Sequence, residues 1–428
     1  MDLKHDLYII PVDEGNIIYS PLRRGLFWAN DQSTKIVERY LSNTINEADF
    51  ANKTYQYLNT LSNAEVFAPK QETTPTKNRV VVILSQICNL ACTYCYAQEA
   101  RAKEVLSKDK LKSVYDFVLA DSNKQKHVSF IGGGEPFVTW DTIEWSVNYI
   151  NQHKSMKDEV SLSITTNATL FDDHTIAFCK ANNIRIGVSF EIIKQIQDNQ
   201  RPFSKLDKST FDVIHNNIQR LMDSGISFGI RSTITKLNVA LMPEMVNFVA
   251  ENYPTLKRLH FEQVTDPTQN NAKFYTDFID YFFKARAIGK AKGIEVYNSI
   301  TNSVFRICER FCNGETCITP TGSIVACHRI SSEKDKAYEL YNFGQVDETS
   351  VFFDMEKYQS YLNFATKKIS QCKECFAHWH CAGICSMERT IFSNEQLQIK
   401  CKFIKEIVKR ILMETVMNSK NNIINNLN

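Results

Sequence analysis

The stretch "VVVILSQICNLACTYCYA", residues 80–97, decides the fold of this chain. Five consecutive apolar residues, typical of a strand buried on both faces, run directly into a loop that carries Cys88, Cys92 and Cys95. Three thiolates on one loop can bind three irons of a [4Fe-4S] cluster and leave the fourth iron open to an external ligand. A zinc ion normally needs a fourth protein ligand, and no histidine stands nearby. Three incidental thiols in a loop are the remaining alternative.

Apolar strands alternate with amphipathic helices on the C-terminal side of Arg79. We predict strands at residues 80–84, 127–133, 161–167, 184–191, 228–235 and 258–264, and helices at residues 107–120, 141–154, 172–183, 211–225, 241–253 and 274–293. Six such βα units predict an α/β fold with a parallel sheet, curved or closed as a partial (β/α)6 TIM-like barrel. Its active-site loops should lie at the carboxyl ends of the strands.

The regions on either side of this barrel have different patterns. Residues 6–30 predict three short strands, followed by two helices, and residues 68–78 read as a polar linker with two prolines. Beyond residue 300 cysteine becomes frequent, a hairpin turns at Thr321 and Gly322, and residues 395–417 predict a closing helix. The Asn-rich residues 418–428 are expected to fray. We therefore predict three domains: a winged-helix-like β/α module at residues 1–68, the barrel at 79–295, and a cysteine-rich domain at 300–415.

Composition narrows the functional classes. The formal net charge of +2 over 428 residues offers no general attraction to nucleic acid or to an anionic membrane. We find neither a signal-peptide pattern nor the run of about 20 apolar residues that a membrane span needs, so we expect a cytoplasmic protein. In a reducing compartment, thirteen cysteines favour metal binding or catalysis over disulfides.

The cysteine loop, with aromatic Tyr94 before the third cysteine and six βα units behind it, resembles radical SAM enzymes. The resemblance extends from residue 79 to about residue 265. The second predicted strand ends in "FIGGGEPF", which is similar to the family's Gly-Gly-Glu-Pro segment. It implies that the backbone of Gly133, Gly134 and Glu135 meets the methionine amino group of S-adenosylmethionine, and that Tyr94 belongs to the same cofactor site.

Further strand ends carry polar residues that match the family by position. The resemblance implies that Asn167 lies near the ribose and that Ser189 and Glu191 form a Ser-x-Glu strand end. Asp198 and Arg201 match an Asp-x-x-Arg element that follows. The resemblance further implies that Arg231 pairs with the methionine carboxylate of S-adenosylmethionine. Taken singly, each of these is as well explained as a satisfied strand-end group.

The C-terminal stretch "QCKECFAHWHCAGIC", residues 371–385, resembles the SPASM domain of peptide-modifying radical SAM enzymes. The resemblance implies two auxiliary [4Fe-4S] clusters besides the one that binds S-adenosylmethionine. It places Cys308, Cys312, Cys327 and Cys385 on the inner cluster, and Cys372, Cys375, Cys381 and Cys401 on the outer one. Cys317 departs from the pattern, and we expect it to be buried, as we do Cys179. A structural zinc ribbon is the alternative for this region, but it leaves at least four cysteines unexplained.

His328 follows Cys327 directly, at the position of an acid–base residue in related sulfatase-maturing enzymes, and is our candidate catalytic residue. A solvated or cluster-bonding histidine is the simpler alternative. The first 68 residues resemble the PqqD-like module that binds leader peptides by extending its sheet. An ordinary winged-helix fold or a packing extension would have the same pattern.

Together these resemblances imply an enzyme that cleaves S-adenosylmethionine to a 5′-deoxyadenosyl radical and abstracts a Cα or Cβ hydrogen from a ribosomally made precursor peptide. A thioether, or a C–C or C–O cross-link, is the expected product. The expected partners are a precursor peptide with its leader and an electron donor such as flavodoxin or ferredoxin. The alternatives are an anaerobic sulfatase-maturing enzyme that makes formylglycine, and a non-catalytic zinc-ribbon binding protein.

Overall fold

The computed structural model describes residues 2–69, 71–98, 102–312 and 315–425 of the chain. The N-terminal part is a small antiparallel sheet in the order β1–β2–β3, with two helices packed beside it. Its elements are β1 (Tyr8–Pro11), β2 (Asn16–Ser20), β3 (Gly25–Ala29), α1 (Asp31–Ser42) and α2 (Lys53–Ser62). The three predicted strands and two helices are thus present.

Seven consecutive parallel strands form the centre of the fold, one more than the six predicted. They are β4 (Arg79–Val82), β5 (Gln125–Phe130), β6 (Glu159–Thr166), β7 (Arg185–Ser189), β8 (Phe228–Ile234), β9 (Arg258–Gln263) and β10 (Glu295–Tyr297). The seventh strand, β10, escaped prediction because it is only three residues long and therefore shows no detectable alternation of apolar and polar residues. Of its three residues only Val296 is fully buried. The α/β fold with a parallel sheet is confirmed.

Helices connect these strands, and all six predicted helices are found within a few residues of their predicted ends. With one further short helix, α6, the helices of this region are α3 (Lys108–Leu119), α4 (Trp140–His153), α5 (Asp173–Ala181), α6 (Lys194–Gln200), α7 (Thr210–Ser224), α8 (Met242–Asn252) and α9 (Ala272–Ala291). The short α6 was not predicted, because two turns are too few for a clear helical period.

The C-terminal region continues the same sheet. It contains β11 (Thr316–Ile318), β12 (Ser323–Val325), β13 (Asn342–Val346) and β14 (Val351–Phe353), with α10 (Ser299–Ser303), α11 (Tyr338–Tyr341), α12 (Met355–Thr366), α13 (His378–Cys381), α14 (Ser386–Ile391) and α15 (Asn394–Asn425). Strand β11 pairs in parallel with β4, and the three later strands follow antiparallel, which gives an eleven-stranded sheet. The predicted hairpin is present, and Gly322 at its turn has φ +92°.

Helix α15 runs to Asn425, so the segment from residue 418 is helical where we expected fraying; residues 426–428 lie outside the described part of the chain. A helix that has already formed propagates at little cost, even through asparagine. In the described ranges, no helix is long and apolar enough to cross a membrane.

The N-terminal sheet packs between two partners. On the central strand β2, Ile17 and Tyr19 belong to the main core, whereas Ile18 belongs to a separate small core with residues of α1 and α2. This division follows from the alternation of side chains along a strand. The Tyr19 hydroxyl lies 2.5 Å from Nε2 of His380, whose Nδ1 lies 2.8 Å from the carbonyl oxygen of Arg306. The sheet is therefore attached to the cysteine-rich region.

The linker after this module is also attached to the cysteine-rich region. Tyr358 donates a hydrogen bond to the Thr74 carbonyl at 3.2 Å, and Thr316 donates one to the Thr76 carbonyl at 2.6 Å. Glu72 forms an ion pair with Arg310. The two prolines and the polar composition of residues 68–78 predict a linker. The described residues of this linker lie along the surface of the cysteine-rich region.

The glycine segment after β5 fixes the position of the cysteine loop. Gly132 and Gly133 have φ +93° and +64°, and the Gly134 N–H donates a hydrogen bond to the Ser85 carbonyl at 2.9 Å. A Cβ on Gly134 would lie only 2.0 Å from the Ile87 carbonyl oxygen. Because backbone atoms cannot give way as a flexible side chain can, only glycine fits at position 134.

We therefore expect Gly134→Ala to displace the cysteine loop and to destabilise the protein by about 1–3 kcal/mol, the usual cost of overpacking. The control is Gly229→Ala, since a Cβ on Gly229 would meet no atom within 4 Å. Thermal unfolding of both variants beside the unmodified protein measures the effect. Equal unfolding midpoints for the two variants would contradict this account of Gly134.

Candidate active site

A cavity of about 450 Å³ lies at the carboxyl ends of strands β5 to β9, where the sequence predicts the active-site loops. Its walls also include the cysteine loop after β4 and residues of the cysteine-rich region. The volume falls within the range of small-molecule and cofactor sites, about 300–1,000 Å³.

Cys88, Cys92 and Cys95 all line this cavity. Their loop is held by the end of α6 and the residues that follow it, through backbone hydrogen bonds from Thr93 N to Gln200 O at 2.9 Å and from Ala91 N to Pro202 O at 2.8 Å. The sequence therefore brings three soft sulfur ligands onto one side of a cavity. That donor set fits the predicted [4Fe-4S] cluster.

The glycine segment lies beside the start of the cysteine loop, because the Gly134 and Glu135 N–H groups donate to the carbonyls of Ser85 and Ile87, each at 2.9 Å. Gly133, Gly134 and Glu135 line the cavity, as the resemblance implied. The Glu135 carboxylate, however, accepts hydrogen bonds from Thr166 Oγ1 at 2.6 Å, Asn167 N at 2.7 Å and Phe137 N at 3.1 Å. Burial raises the pKa of Glu135, and these bonds oppose the rise. The side chain joins the ends of β5 and β6, which leaves the backbone of the segment to face the cavity.

Asn167 and Ser189 also line the cavity. Nδ2 of Asn167 donates to Oδ1 of Asn89 at 2.9 Å, and Oδ1 of Asn167 accepts from Thr169 N at 3.0 Å. The Asn167 side chain is thus oriented by the cysteine loop on one side and by its own turn on the other. These contacts tie the third strand end to the thiol loop.

Tyr94, Glu191 and Arg201 form a buried network beneath the cavity wall. The Tyr94 hydroxyl donates to Glu191, and Arg201 donates to Tyr94 Oη at 2.9 Å. Glu191 also accepts from Ser232 Oγ at 2.8 Å and from Thr233 N at 2.9 Å. Tyr94 and Arg201 line the cavity, whereas Glu191 is completely buried and is not among its lining residues. The predicted cofactor contact of Glu191 stays a prediction, and its observed contacts hold Tyr94.

Arg231 on β8 lines the cavity near an acidic residue that the sequence analysis missed, Glu262 at the end of β9. Glu262 lies 2.8 Å from Nε2 of His260 and accepts from Ser299 N at 3.0 Å. Burial opposes its ionisation, but the contact with His260 and the charge of Arg231 lower the pKa of Glu262 to about 2. An acid at a strand end of this sheet was the signal that could have found it.

Cys312, Cys327 and Cys385 line the same cavity as the three-cysteine loop. Burial and the neighbouring Cys385 raise the pKa of Cys327, and burial, Glu388 and Cys312 raise the pKa of Cys385. The structure thus brings three of the four predicted ligands of the inner cluster to one cavity. Cys308, the fourth predicted member, is not among the described residues that line the cavity.

His328 lines the cavity, with its Nδ1 2.7 Å from a carboxylate oxygen of Glu315. Burial disfavours ionisation of Glu315, but the contact with His328, the charge of Arg79 and the Cys317 thiol together outweigh burial and lower the pKa of Glu315. The extra thiol of Cys317 is fully buried and lies 3.8 Å from the same carboxylate. Glu315 was not identified from the sequence, because nothing in its neighbourhood resembles a motif.

A buried ion pair forms another part of the wall. Lys400 Nζ lies 3.0 Å from Glu388 Oε1, with side chains 2% and 9% exposed. The Lys400 ammonium also lies 5.3 Å from the ring centroid of Tyr275. Burial lowers the pKa of Lys400, but the charge and hydrogen bond of Glu388, with smaller effects of Tyr275 and Glu262, together outweigh burial and raise that pKa overall. The sequence analysis missed this pair, whose members are twelve positions apart.

The outer thiols surround a separate, much smaller pocket of about 20 Å³, lined by Cys372, Cys375, Cys381 and Cys401. The Ile384 N–H lies 3.2 Å from the Cys381 sulfur. All four predicted members of the outer group are thus together. The residues that the structure describes include no group of three or more His, Cys, Asp or Glu with the geometry to bind a single metal ion. Cys179 is buried in the core, as expected.

Residues 82–249 match the family model of the Radical SAM superfamily. The cysteine-type anaerobic sulfatase-maturating enzyme of Clostridium novyi (strain NT) is 22% identical over 321 residues, which are 69% of this chain and 83% of that protein.

Among solved structures, native anSMEcpe with bound AdoMet matches this chain with a TM-score of 0.69 at 20% identity. The match covers 80% of this chain and 99% of the anSMEcpe chain. Streptococcus suis SuiB bound to precursor peptide SuiA has a TM-score of 0.52 at 13% identity, and covers 92% of this chain and 97% of its own. At these identities the two structures are evidence for the fold.

The segment matched by the family model contains the cysteine loop, the glycine segment and the strand ends as far as Arg231. The predicted fold is therefore confirmed. Through residues 82–249 this chain is a radical SAM enzyme; it is similar in sequence to an anaerobic sulfatase-maturating enzyme and similar in fold to anSMEcpe and SuiB, and it has a cysteine-rich C-terminal region.

Proposed function

We propose that this enzyme modifies a ribosomally synthesised precursor peptide, from which it removes a Cα or Cβ hydrogen to form a thioether or a C–C or C–O cross-link. The observation that carries this proposal is the small N-terminal sheet attached through Tyr19 and His380 to the cysteine-rich region. AnSMEcpe is matched over 99% of its length yet covers only 80% of this chain, whereas SuiB with its precursor peptide covers 92%. The N-terminal sheet gives the enzyme a second place to hold a peptide.

As a radical SAM enzyme, the protein uses S-adenosylmethionine and a [4Fe-4S] cluster, which together supply the oxidising power to remove an unactivated hydrogen. We assign the ligation of that cluster to Cys88, Cys92 and Cys95. Gly133 and Gly134 would bind the methionine part through their backbone, and Arg231 would pair with its carboxylate. The cavity around them must hold one substrate C–H in place and exclude water.

The remainder of the cavity would receive the modified residue. Its wall carries an acid at Glu262, the Lys400–Glu388 pair and the imidazole of His328. On this proposal, His328, held by Glu315, accepts a proton from the substrate group that closes the new bond. The thiols of Cys312, Cys327 and Cys385 would hold the inner auxiliary cluster within the same cavity, and that cluster would supply an acceptor for the one electron that the substrate gives up when the new bond closes.

The leader would bind as an additional strand on the N-terminal sheet. Its edge strands β1 and β3 each have only β2 as a neighbour in the described sheet, so each has an outer edge open to pairing. Strand addition uses backbone hydrogen bonds and needs no particular side chain. This would explain why a leader-binding module carries no diagnostic residue.

Sulfatase maturation is the second candidate, favoured by the extended match to the Clostridium novyi enzyme. A zinc-ribbon binding protein is no longer an alternative for the whole chain, because the family is that of radical SAM enzymes.

One prediction concerns the iron content of the enzyme and its cleavage of S-adenosylmethionine. After anaerobic reconstitution we expect about 12 iron per chain, from three four-iron clusters, and dithionite-dependent release of 5′-deoxyadenosine. Replacing Cys88, Cys92 and Cys95 together by Ala should abolish that release and remove about four irons. The control Cys179→Ala should retain both, because that thiol lies in the core. Full 5′-deoxyadenosine release by the triple variant would contradict the assignment.

The auxiliary thiols give a second prediction, for Cys385→Ala against Cys317→Ala. Loss of Cys385 should remove the inner cluster, about four irons, while the outer cluster keeps all its ligands. Loss of Cys317 should leave the iron content unchanged, since we assign its thiol to packing beside Glu315. Iron analysis and electron paramagnetic resonance of the dithionite-reduced proteins measure both. An iron loss confined to Cys317→Ala would make Cys317 the inner ligand instead.

A third prediction separates the two candidate functions. We expect the precursor peptide encoded nearest to this gene to lose two hydrogens on incubation with S-adenosylmethionine and dithionite, and to do so at least tenfold faster with its leader attached, a difference of about 1.4 kcal/mol. A cysteine-containing sulfatase peptide is the comparison substrate. Mass spectrometry distinguishes the products, and conversion of the sulfatase peptide alone to an aldehyde would establish sulfatase maturation instead.

A further inference from the structure

Lysines surround the outer thiol pocket. Lys373 directly follows Cys372 and Lys402 directly follows Cys401, and both lysines are exposed. Lys405 and Lys409 lie one and two turns further along α15, on the same helix face as Lys402, because positions i, i+3 and i+7 share a face. We call Lys373, Lys402, Lys405 and Lys409 the lysine face.

Little negative charge opposes this face. Within the described ranges, none of its four lysines forms an ion pair with a carboxylate. Glu374 is exposed next to Lys373, whereas Glu406 is held by Arg410 at 2.9 Å. Lys405 lines the thiol pocket itself. The surface around the outer thiols is therefore positively charged.

We infer that the lysine face is the docking surface for an acidic one-electron carrier protein that reduces the cluster held by the outer thiols. This inference rests on the proposed function, since it requires the outer cluster. The chain as a whole carries a formal charge of only +2, so the attraction must come from this local surface. Charge complementarity of this kind speeds encounter and suits a short-lived electron-transfer complex, which buries little area.

The charges in the large cavity do not offer such a surface. There Lys400 pairs with Glu388, and Arg201 lies 3.7 Å from Glu191. Paired, buried charges produce little field outside the protein, whereas the unpaired lysines beside the outer thiols do. A carrier protein is also too large to enter the cavity, so it must dock on the outer surface of the protein, where the lysine face lies.

The step is a single electron transfer. The reduced carrier loses one electron and the outer [4Fe-4S] cluster gains it, with no bond or proton transferred. The carrier then leaves in its oxidised form. Because the complex must dissociate after each electron, we expect weak binding. We also expect the binding to be sensitive to salt, because ions screen the attraction between exposed charges over a Debye length of about 8 Å at physiological ionic strength.

The test uses the reconstituted full-length enzyme with reduced bacterial flavodoxin as the acidic carrier. The test variant is the triple substitution Lys373→Glu, Lys402→Glu, Lys409→Glu; Lys405 is left intact because it lines the thiol pocket. The control changes three exposed lysines elsewhere in the barrel by the same charge: Lys124→Glu, Lys157→Glu and Lys180→Glu. The readouts are flavodoxin binding and the rate of cluster reduction at low and at physiological salt.

At low salt, we expect the test variant to bind flavodoxin more weakly than the unmodified enzyme does. We also expect flavodoxin to reduce it at least about tenfold more slowly, which is the lower end of the effect of electrostatic steering on association rates. Reduction by dithionite should match that of the unmodified enzyme, and the control variant should behave as the unmodified enzyme with both reductants. Equal flavodoxin rates for test and control variants would overturn the inference. Absence of dithionite-dependent 5′-deoxyadenosine release from the unmodified enzyme would instead overturn the proposed function, while flavodoxin binding still reports on the lysine face.

Discussion

The parallel pairing of β11 with β4 is the contact on which the arrangement of the thiols depends. Cys317 is in register with Val81, and the Ile83 N–H donates to the Ile318 carbonyl at 2.9 Å. The cysteine-rich region thereby becomes a continuation of the sheet whose first strand carries the three-cysteine loop. Cys312 and Cys327, which flank the β11–β12 hairpin, reach the cavity as a result. A slip of one residue in this register would turn alternate side chains, including Glu315 and Cys317, to the other face.

Buried charges around the cavity are all held by specific partners. Glu191 accepts from Tyr94, Ser232 and Thr233, and Lys400 is paired with Glu388. An isolated charge in such surroundings is strongly destabilising, so removing one partner would leave the other uncompensated. The same contacts restrict each side chain to one orientation, as a satisfied polar network does. The cavity wall is therefore preorganised before any ligand binds.

The sequence was sufficient for the parts of the site that are contiguous in the chain. The cysteine loop, the glycine segment and the strand-end residues Asn167, Ser189 and Arg231 all reach the cavity, because parallel strands bring their carboxyl ends to one edge. The sequence could not identify Glu315, Glu388 or Lys400, because these residues are distinguished by their tertiary contacts and not by a motif or by their spacing in the chain. The cofactor contacts of the segment at Glu135 and of the strand end at Glu191 stay predictions. What the sequence did not reveal is that both carboxylates accept hydrogen bonds, which join neighbouring strands at Glu135 and hold Tyr94 at Glu191.

The stretch Cys381–Cys385 explains how one short segment can serve two sites. Ala382, Gly383 and Ile384 have φ values of +49°, +89° and +71°, three successive residues in the left-handed region. For Ile384 this conformation is costly, since its branched side chain crowds the backbone, and the buried position of that side chain must compensate. The turn points the Ile384 N–H at the Cys381 sulfur, which stays with the outer pocket, and carries the chain on to Cys385, which faces the large cavity. Because the backbone reverses between them, cysteines only four positions apart can belong to different clusters.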